Sequence, residues 1–530
     1  MPQLKITGVI LSLGEHEGIL KEKIASLLNI PCEDILSLKV VRKSIDARRK
    51  KPPRFLYSVN VSVPYGIDIT GKKSVEREVL PEEKELPRYP AKMKPEKRPV
   101  IVGCGPAGLF AALSLAENGI PVLLLERGRK VTERVIDVQT FWEKGILNVE
   151  SHVHFGEGGA GTFSDGKLTS RVKNPFTEWV KRILVDAGAP SELLRDGKPH
   201  IGTDKLRDVV VNLREKLIKC GCEVRFESKV TDFLIHQGRI EGVVVNSKEE
   251  IKTDYLILAT GQSAVDTYGA LHESAVHLEP KPFAMGLRVE HPQELIDSIQ
   301  YGRWRGHPQL PPADYFLTAK LPGINRSVYT FCMCPGGYII GCSAEEGSVI
   351  TNGMSLYKRE STYANSAVVV NVRVEDFQEM ASHPLSGLVF RRYWEEKAFV
   401  LAGKSYCAPA QRLVDFLWDR EGAIPNPTSF SPGVKPALLR EALPLYVVDA
   451  LKRGISEFDR KMRGFITEEA ILIGVETRTS SPVRIVRSPE GQSVSVAGLY
   501  PCGEGAGYAG GIISSALDGI RIATAIISGW

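Results

Sequence analysis

Residues 99–128 constrain the fold of this 530-residue chain more than any other feature. They read PVIVGCGPAGLFAALSLAENGIPVLLLERG, which is an apolar run, a glycine-rich turn, a helical stretch and a second apolar run. Short continuous apolar runs bounded by turn signals are typical of buried strands. The segment therefore predicts a strand, a helix and a second strand that together form one parallel unit.

The glycine spacing within this unit predicts a ligand. Three glycines follow the first predicted strand as G-x-G-x-x-G, and Glu126 ends the second strand 23 residues after the first glycine. In this pattern one glycine makes the tight turn, one lets the backbone approach a pyrophosphate, and one permits close packing of helix on strand. The diphosphate caps the helix N-terminus, and the carboxylate accepts hydrogen bonds from the adenosine ribose. The predicted dinucleotide contacts are Gly103, Gly105, Pro106, Ala107, Gly108 and Glu126.

A second glycine-rich loop, LYPCGEGAGYAGG, lies near the end of the sequence and leads into a final helix. It contains Gly505, Gly507 and Gly510 at the same spacing, but no second strand–helix unit follows it. We therefore expect it to return to the first unit, near the apolar strand that ends in Ala-Thr-Gly at Gly261. There it would lay a helix N-terminus along an extended cofactor, as a flavin dinucleotide requires.

A third match, Gly156, Gly158 and Gly161 in FGEGGAGTFSDGKL, lacks a long preceding strand. We interpret it as a backbone-rich loop that approaches the flavin ring through Gly161. In this interpretation Lys167 places a positive charge near the reduced flavin. The alternative is a surface glycine loop with a solvated lysine.

These motifs resemble those of the glutathione-reductase-like flavoproteins, which have two dinucleotide-binding motifs. The shared stretches are VGCGPAG, LLLER, the ATG strand and GEGAGYAGGI. Over the whole chain the sequence more closely resembles a bacterial group of uncharacterised FAD-dependent dehydrogenases, through GEGGAGTFSDGKLTSR, KPFAMGLRVEHPQ, FCMCPGGYIIG and VETRTSSPVRI. The resemblance implies FAD as the cofactor and an FAD-dependent oxidoreductase activity.

The resemblance also implies further FAD contacts. Arg127 follows the ribose-binding carboxylate, and Val230 offers backbone contacts to the adenine. The remaining contacts lie along the pyrophosphate and ribityl chain at Gly261, Gly503, Glu504, Gly510 and Gly511. Residues 262–490 contain no second complete glycine fingerprint, and no C-x-x-x-x-C pair follows the first helix. A resident NADPH domain and a disulfide relay are therefore not expected, and transient NADH or NADPH, or another electron carrier, stays open as the donor.

Four residues are candidates for catalysis: Lys167, Arg288, His291 and Arg478. An arginine clamps carboxylates with two hydrogen bonds, and a histidine exchanges a proton near neutral pH. For the two arginines and the histidine, structural ion pairs and a histidine with an ordinary structural role are equally open. The sequence shows no metal-ligand spacing, so no metal site is predicted.

The nine cysteines lack both zinc-type pairs and the density of a secreted disulfide protein, which favours free thiols and a cytoplasmic location. Cys332 and Cys334 are separated by one residue, which places both on one face of a strand. We interpret them as neighbouring buried thiols rather than a redox couple. Cys502, beside the glycine loop, is interpreted as a small buried residue.

The predicted fold class is α/β: a Rossmann-like FAD-binding lobe, an inserted mixed α+β substrate domain and a small N-terminal α+β domain. A Pro-rich, charged stretch is expected to link the N-terminal domain to the rest. The predicted boundaries are 1–80 for the N-terminal module, 81–98 for the linker, 99–265 and 476–530 for the FAD-binding domain, and 266–475 for the insert.

The net charge of +5 is too small for nucleic acid to be the main partner. Residues 39–54 are strongly basic, and we expect a solvated loop there. Residues 511–530 are apolar, but Asp518 and Arg521 favour a buried helix over a membrane span. The predicted function is an FAD-dependent oxidoreductase that acts on a small organic substrate by hydride or electron transfer. The alternatives are a flavin-containing binding protein whose basic module contacts RNA or a protein, and a flavin monooxygenase.

Overall fold

The computed structural model describes residues 3–48, 51–65, 74–78, 95–168, 174–377, 383–424 and 427–529. The N-terminal module is an antiparallel sheet of four strands in the order β2-β3-β1-β4, with one helix packed on it. Its elements are β1 (Gln3–Ser12), α1 (Leu20–Leu28), β2 (Ser37–Asp46), β3 (Arg54–Ser62) and β4 (Val75–Glu78). Every second residue of β3 is buried, because one face of the sheet covers the core of the module. Residues 81–94 of the expected linker lie outside the described residues.

The expectation of a loop at residues 39–54 is wrong for its first half. Strand β2 continues to Asp46 and pairs with β3 as far as Arg54. Lys43 forms an ion pair with Glu17 at 2.8 Å. The Asp46 carboxylate forms ion pairs with Arg48 at 2.7 Å and with Arg54 at 3.0 Å. Strand pairing and these ion pairs order the basic stretch, of which residues 49 and 50 lie outside the description.

The rest of the chain folds into two sheets with helices and three smaller β-structures. From residue 95 to 280 the elements are β5 (Val100–Val102), α2 (Pro106–Glu117), β6 (Leu123–Leu125), α3 (Val131–Lys144), α4 (Thr177–Asp186), α5 (Thr203–Lys219), β7 (Glu223–Arg225), β8 (Val230–His236), β9 (Arg239–Val245), β10 (Glu249–Lys252), β11 (Leu256–Leu258), α6 (Val265–Glu273) and β12 (Leu278–Pro280). From residue 283 to 476 they are β13 (Phe283–Pro292), α7 (Gln293–Tyr301), β14 (Thr318–Leu321), β15 (Arg326–Cys334), β16 (Tyr338–Gly341), β17 (Thr351–Met354), β18 (Tyr363–Val372), α8 (Ser386–Leu401), β19 (Ala408–Arg412), α9 (Leu413–Leu417), β20 (Val434–Pro436), α10 (Leu445–Lys461) and β21 (Ile471–Glu476). The last elements are β22 (Val483–Ile485), β23 (Leu499–Pro501) and α11 (Ile512–Ser528).

The first of the two sheets is parallel, with five strands in the order β23-β11-β5-β6-β7. The strand nearest the C-terminus thus joins the edge of a sheet built mainly from residues 100–258. Helix α11 packs on α2 so closely that a Cβ atom on Gly519 would lie 2.2 Å from the carbonyl oxygen of Ala107. The predicted α/β class is confirmed, and the last strand and helix pack against the first strand–helix–strand unit.

The second sheet is mixed and has seven strands in the order β14-β15-β18-β13-β21-β19-β20. Strands β13 and β18 are buried along nearly their whole length. Helix α10 covers one face of the sheet with Leu451, Ile455 and Phe458, which belong to the largest hydrophobic cluster. The sheet places the ends of β15 and β21 against the parallel lobe, where they complete the site described below.

Helix α11 is a buried core helix, as predicted. Its Asp518 carboxylate accepts two hydrogen bonds from the Arg487 guanidinium, at 2.6 and 2.9 Å. In the part of the chain that the structure describes, no helix is both long and apolar enough to cross a membrane.

Candidate functional site

A cavity of about 400 Å³ lies between the parallel lobe and the mixed sheet. Val102, Leu125 and Ala259, at the carboxyl ends of β5, β6 and β11, form part of its wall. Ligands of open parallel sheets bind at this edge of the sheet. The first turns of α2 and α11 also line the cavity, so two helix N-termini point their amides into one space.

The three glycines of the first turn are not needed for the same reason. Gly103 has a φ of +106°, and a Cβ atom there would lie 2.3 Å from the Ala259 carbonyl oxygen. A Cβ on Gly108 would lie 1.9 Å from the Gly103 carbonyl oxygen. Gly105 differs, because its nearest neighbour would be the Cα atom of Gly159 at 3.9 Å. Gly103 and Gly108 are therefore required by packing, whereas Gly105 keeps the cavity open.

Helix α2 begins at this open position. Gly105 is its N-cap, Pro106 stands in the first turn, and the helix has no side-chain cap. Gly105, Pro106 and Ala107 line the cavity, and Gly108 is not among the described lining residues. Amides of the first helical turn lack intrahelical acceptors and favour an anion, so this wall of the cavity suits a diphosphate.

Glu126 is buried in the cavity wall and already accepts three backbone hydrogen bonds. Its Oε2 atom accepts from the Cys104 amide, and its Oε1 atom accepts from the amides of Gly128 and Gly156, each at 2.9 Å. A carboxylate offers about four acceptor positions. The predicted ribose contact therefore shares this carboxylate with the loop containing Gly156.

Arg127 lines the cavity, but its guanidinium is held by acidic partners. It contacts Glu150 at 2.7 Å and Asp266 at 2.9 Å, and its Cζ atom lies 4.1 Å from the ring centre of Phe155. Although burial opposes ionisation of Asp266, hydrogen bonding by Arg127 lowers the pKa of that carboxyl to about 2. Val230, at the start of β8, lines the same end of the cavity. We name this region, with Glu126, the adenosine end.

The Ala-Thr-Gly loop and the last glycine loop meet in the middle of the cavity. Gly261 has a φ of +74°, and a Cβ on Gly505 would lie 2.3 Å from the Gly261 carbonyl oxygen. Glu504 lines the cavity and accepts a hydrogen bond from Gln262 Nε2 at 2.7 Å. Burial raises the pKa of Glu504 to about 7, so this group exchanges a proton near neutral pH.

The remaining predicted glycines of this loop divide into two kinds. Gly510 and Gly511 line the cavity at the start of α11. Gly503 is not among the described lining residues, and its amide donates to Asp518 at 2.8 Å. A Cβ on Gly503 would lie 2.8 Å from that of Ala107, so Gly503 permits the contact between the loop and α2.

Lys167 lines the cavity together with Asp165, Phe331 and Cys332, and we name this part of the wall the ring end. The glycine loop brings Gly159 and Gly161 along the wall toward it. Its ammonium group contacts Asp165 Oδ2 at 3.1 Å, donates to the Met333 carbonyl oxygen and lies 4.0 Å from the sulfur of Cys334. Although burial works against the charged form, the nearby thiols and Asp165 raise the pKa of Lys167. Lys167 is thus a fixed cation in the cavity wall, in contrast to the solvated lysine of the alternative.

Arg478 also reaches the cavity. Its guanidinium pairs with the buried Glu395 at 3.0 Å, while its Nη1 atom is buried and finds no hydrogen-bond partner among the described residues. The Nε2 atom of His154 and the Oγ atom of Ser263, which also belong to lining residues, have no described partner either. Buried polar atoms without partners are costly, and these three belong to residues of the cavity wall.

Arg288 and His291 take structural positions instead of the predicted substrate contacts. Neither is among the described lining residues. Arg288 is fully buried in an ion pair with Glu476 at 3.0 Å and donates to Asn365 at 2.7 Å. The His291 imidazole is fully buried against Phe465, with Nε2 2.8 Å from the carbonyl oxygen of that residue. Burial between strands of the mixed sheet separates both side chains from the cavity.

Several lining residues were missed by the sequence analysis. They share a position in short polar loops or at irregular strand ends: His154, Asp165, Gln262, Cys332, Asn352 and Glu476. Asp165 lies two residues before the predicted Lys167, and the occurrence of both in SDGK was a usable signal. Cys332 is the clearest miss, because it lines the cavity and only Cys334 is fully buried.

Comparisons with known proteins give the class of this site. A family model described as "FAD-dependent protein, C-terminal domain-like" matches residues 282–479, and one described as "Pyridine nucleotide-disulphide oxidoreductase" matches residues 97–279. An uncharacterised protein of Clostridium beijerinckii is 46% identical over 532 residues, which is 99% of this chain and 98% of the relative. The chain belongs to the family of FAD-dependent flavoproteins. Its cofactor is FAD, and its general class is FAD-dependent oxidoreductase.

More distant similarities were also found. A domain of unknown function matches residues 3–62. A thiamine thiazole synthase of Methanococcus vannielii is 30% identical over 176 residues, which is 31% of this chain and 56% of that protein. The solved glycerol-3-phosphate dehydrogenase of Bacillus halodurans, complexed with FAD, has a TM-score of 0.36 at 11% identity and covers 83% of this chain and 66% of that one. The glycine oxidase of Bacillus cereus has a TM-score of 0.31 at 11% identity and covers 82% of this chain and 95% of that one. The family assignment rests on the two larger family models and the full-length relative.

The residues of the cavity fit FAD. The open Gly105 position and the uncapped start of α2 suit the diphosphate, and Glu126 and Val230 stand at the adenosine end. Glu504, held by Gln262, offers a carboxyl group along the middle. Lys167 and the orphaned Arg478 nitrogen supply positive charge to the wall, which suits the electron-rich pyrimidine of a reduced flavin.

Proposed function

We propose that this flavoprotein is a dehydrogenase or reductase that transfers a hydride or electrons between a small organic substrate and an electron carrier. FAD supplies the hydride and electron-transfer chemistry when bound. The observation that carries the proposal is the positive charge of Lys167, which lines the cavity and is held by Asp165 at 3.1 Å. A cation held there stabilises negative charge that develops at the ring end.

Different residues of the cavity wall bind the cofactor, orient it and hold a proton. The first turns of α2 and α11 bind the diphosphate, and Glu126 orients the ribose. Glu504 has a pKa raised by burial to about 7 and a hydrogen bond from Gln262, so it holds or releases a proton near the middle of the cofactor at neutral pH. Phe331 and Cys332 on β15 of the mixed sheet, together with Asn352 on β17, close the ring end, which limits access of water.

Arg478 is the best candidate for orienting a substrate. Its Nη1 atom has no described partner, while its other nitrogens are fixed by Glu395. A guanidinium held in this way presents a preorganised donor to a carboxylate or carbonyl oxygen. The substrate expected here is a small organic acid or carbonyl compound.

The donor proposed for the flavin is transiently bound NADH or NADPH, or another soluble carrier. The alternative of a nucleic-acid-binding module gains no support from the comparisons, and three of the six described cations of the basic stretch, Lys43, Arg48 and Arg54, are paired with carboxylates. We therefore keep the oxidoreductase as the single proposed function.

The decisive experiment is an anaerobic spectral titration of the purified protein with NADH and with NADPH. We expect a flavin spectrum in the isolated protein, bleaching by one donor or by a small organic substrate, and recovery of the spectrum on adding an electron acceptor. A monooxygenase would instead yield a hydroxylated substrate in the presence of oxygen. Bound flavin that no nicotinamide, organic acid or carbonyl compound reduces would contradict the proposal.

A further inference from the structure

The last residues of β15 carry two cysteines in an irregular backbone. The pairing of β15 with β18 shifts register between Phe331 and Cys334, and Cys332 has a φ of +47°. An extra residue of this kind is a β-bulge, which turns a side chain away from its regular direction. As a result Cys332 is half-buried and lines the cavity, while Cys334 is fully buried behind it.

The two cysteines are held near each other at this bulge, because a single residue separates them. The Cys334 sulfur also lies 3.3 Å from the Cys332 carbonyl oxygen and 4.0 Å from the Lys167 ammonium group. Two residues joined through one intervening residue span at most about 7 Å between Cα atoms. That separation is at the upper limit for a disulfide, and a bulge shortens it.

The surroundings of the pair carry an excess of positive charge. The charged groups that face it come from the glycine loop, from β13 and from β21, and they are Asp165, Lys167, Arg288 and Glu476. Asp165 is shared between Lys167 and Arg359, at 3.1 and 2.6 Å, and Glu476 neutralises Arg288. When Arg359 is counted with Lys167 and Arg288, the cluster has three cations and two carboxylates, and one added negative charge would balance it.

We propose that Cys332 and Cys334 form a reactive dithiol site at the ring end of the cavity, which exchanges with small organic disulfides. Cys332 is the attacking thiolate and Cys334 is the resolving thiol. Hydrogen bonding by Cys334, together with the charges of Arg288 and Lys167, outweighs burial and lowers the pKa of Cys332 below its ordinary value. The same hydrogen bond and burial raise the pKa of Cys334 well above its ordinary value, so the pair shares one proton.

The exchange balances without any further reactant. The Cys332 thiolate attacks one sulfur of the disulfide R–S–S–R, which breaks that bond, forms a mixed disulfide and releases R–S⁻. The departing thiolate takes the proton of Cys334. The Cys334 sulfur then attacks Cys332 Sγ, forms the Cys332–Cys334 disulfide and releases a second R–S⁻, which takes a proton from water. Two electrons pass from the cysteines to the external disulfide.

The test uses the FAD-loaded protein and dithiodipyridine, an organic disulfide whose thiopyridone product absorbs light. The other cysteines that are exposed or half-buried are Cys32, Cys220 and Cys407, and replacing these three with serine gives a background in which Cys332 is the most accessible thiol. We expect two equivalents of thiopyridone per chain and a loss of two hydrogens in the peptide that contains both cysteines. In the same background Cys334→Ser should release one equivalent and keep the pyridyl group on Cys332, and Cys332→Ser should react at least tenfold more slowly.

The pH dependence separates a low-pKa thiolate from an ordinary buried thiol. An ordinary thiol, with a pKa of about 8.5, becomes about tenfold more reactive per pH unit below that value. We expect the background protein to react at nearly the same rate at pH 6 and pH 8, and Lys167→Met to restore a rising rate. Release of less than one equivalent, a retained adduct without an internal disulfide, or a tenfold rise per pH unit would each overturn the proposal.

The proposal rests on the proposed function only in placing the pair beside the flavin ring. Failure of the two ideas is distinguishable in one sample, because the flavin spectrum reports on the cofactor and thiopyridone release reports on the dithiol. Peptide mapping of the background protein needs no further variant, so the test stands even if Cys334→Ser does not fold.

Discussion

Replacing Gly105 with alanine tests whether the diphosphate of FAD lies at the start of α2. The added methyl group has room in the protein, since its nearest neighbour is the Cα atom of Gly159 at 3.9 Å. It points into the space that the diphosphate needs. If one charge-assisted hydrogen bond of about 1.5–3 kcal/mol is lost, FAD affinity falls about tenfold to 150-fold. The cost in folding stability is about 0.5–1 kcal/mol, because alanine is a poor N-cap.

Gly108→Ala is the matched control. It adds the same methyl group one helical turn later, at a position where the helix packs against backbone. There the methyl would lie 1.9 Å from the Gly103 carbonyl oxygen, and overpacking against backbone costs about 3 kcal/mol. The assays are quenching of flavin fluorescence on titration of the apoprotein, and thermal unfolding of each variant. We expect Gly105→Ala to lose affinity with a nearly unchanged melting temperature, and Gly108→Ala to lose several degrees. Wild-type affinity in a folded Gly105→Ala protein would refute the diphosphate position.

Three further predictions follow from charged groups. Lys167→Met should lower the midpoint potential of bound FAD, by about 30 mV if the lost charge interaction is about 1.4 kcal/mol; an unchanged potential in spectroelectrochemical titration would remove its role at the ring. The pKa of Glu504 in the folded protein is about 7, above its ordinary value of 4.5. Between pH 4.5 and pH 7 the folded state therefore binds a proton at Glu504 that the unfolded state has lost. The free energy of unfolding falls as the pH rises through this range. Glu504→Gln should abolish up to about 3 kcal/mol of that fall, measured as the difference between wild-type and variant in urea unfolding at pH 5 and pH 7.5; equal slopes would show that Glu504 titrates normally. Arg487→Met leaves the buried Asp518 without its ion-pair partner at 2.6 Å and should cost about 3–5 kcal/mol, so a melting temperature within a degree of wild type would contradict this account of α11.

The adenosine half of the site is predictable from sequence because backbone geometry dictates it. The close contacts of Gly103 with Ala259 and of Gly108 with Gly103 leave no space for a side chain. Because this geometry requires glycine at fixed positions, the glycine spacing is visible in the sequence. The buried alternation of β3 is predictable for a similar reason, since one face of a sheet must cover a core. The basic stretch after residue 39 was misjudged because strand pairing with β3, and not composition, decides whether it is ordered.

The residues of the ring end were missed because their positions depend on tertiary packing and not on a local sequence pattern. Its wall is made of side chains from the glycine loop, β15, β17 and β21, which are brought together only by long-range packing. Arg288 connects three of these parts: it pairs with Glu476 on β21 and donates to Asn352 on β17 and to the Cys332 carbonyl oxygen on β15, at 3.0, 3.4 and 3.3 Å. Glu476, Asn352 and Cys332 all line the cavity, although Arg288 does not. Arg288 is therefore a positioning residue, and its sequence signal, an arginine in an apolar strand, is shared by a substrate clamp and by a buried support. The two differ only in whether the partner of the guanidinium belongs to the protein, and here Glu476 is that partner.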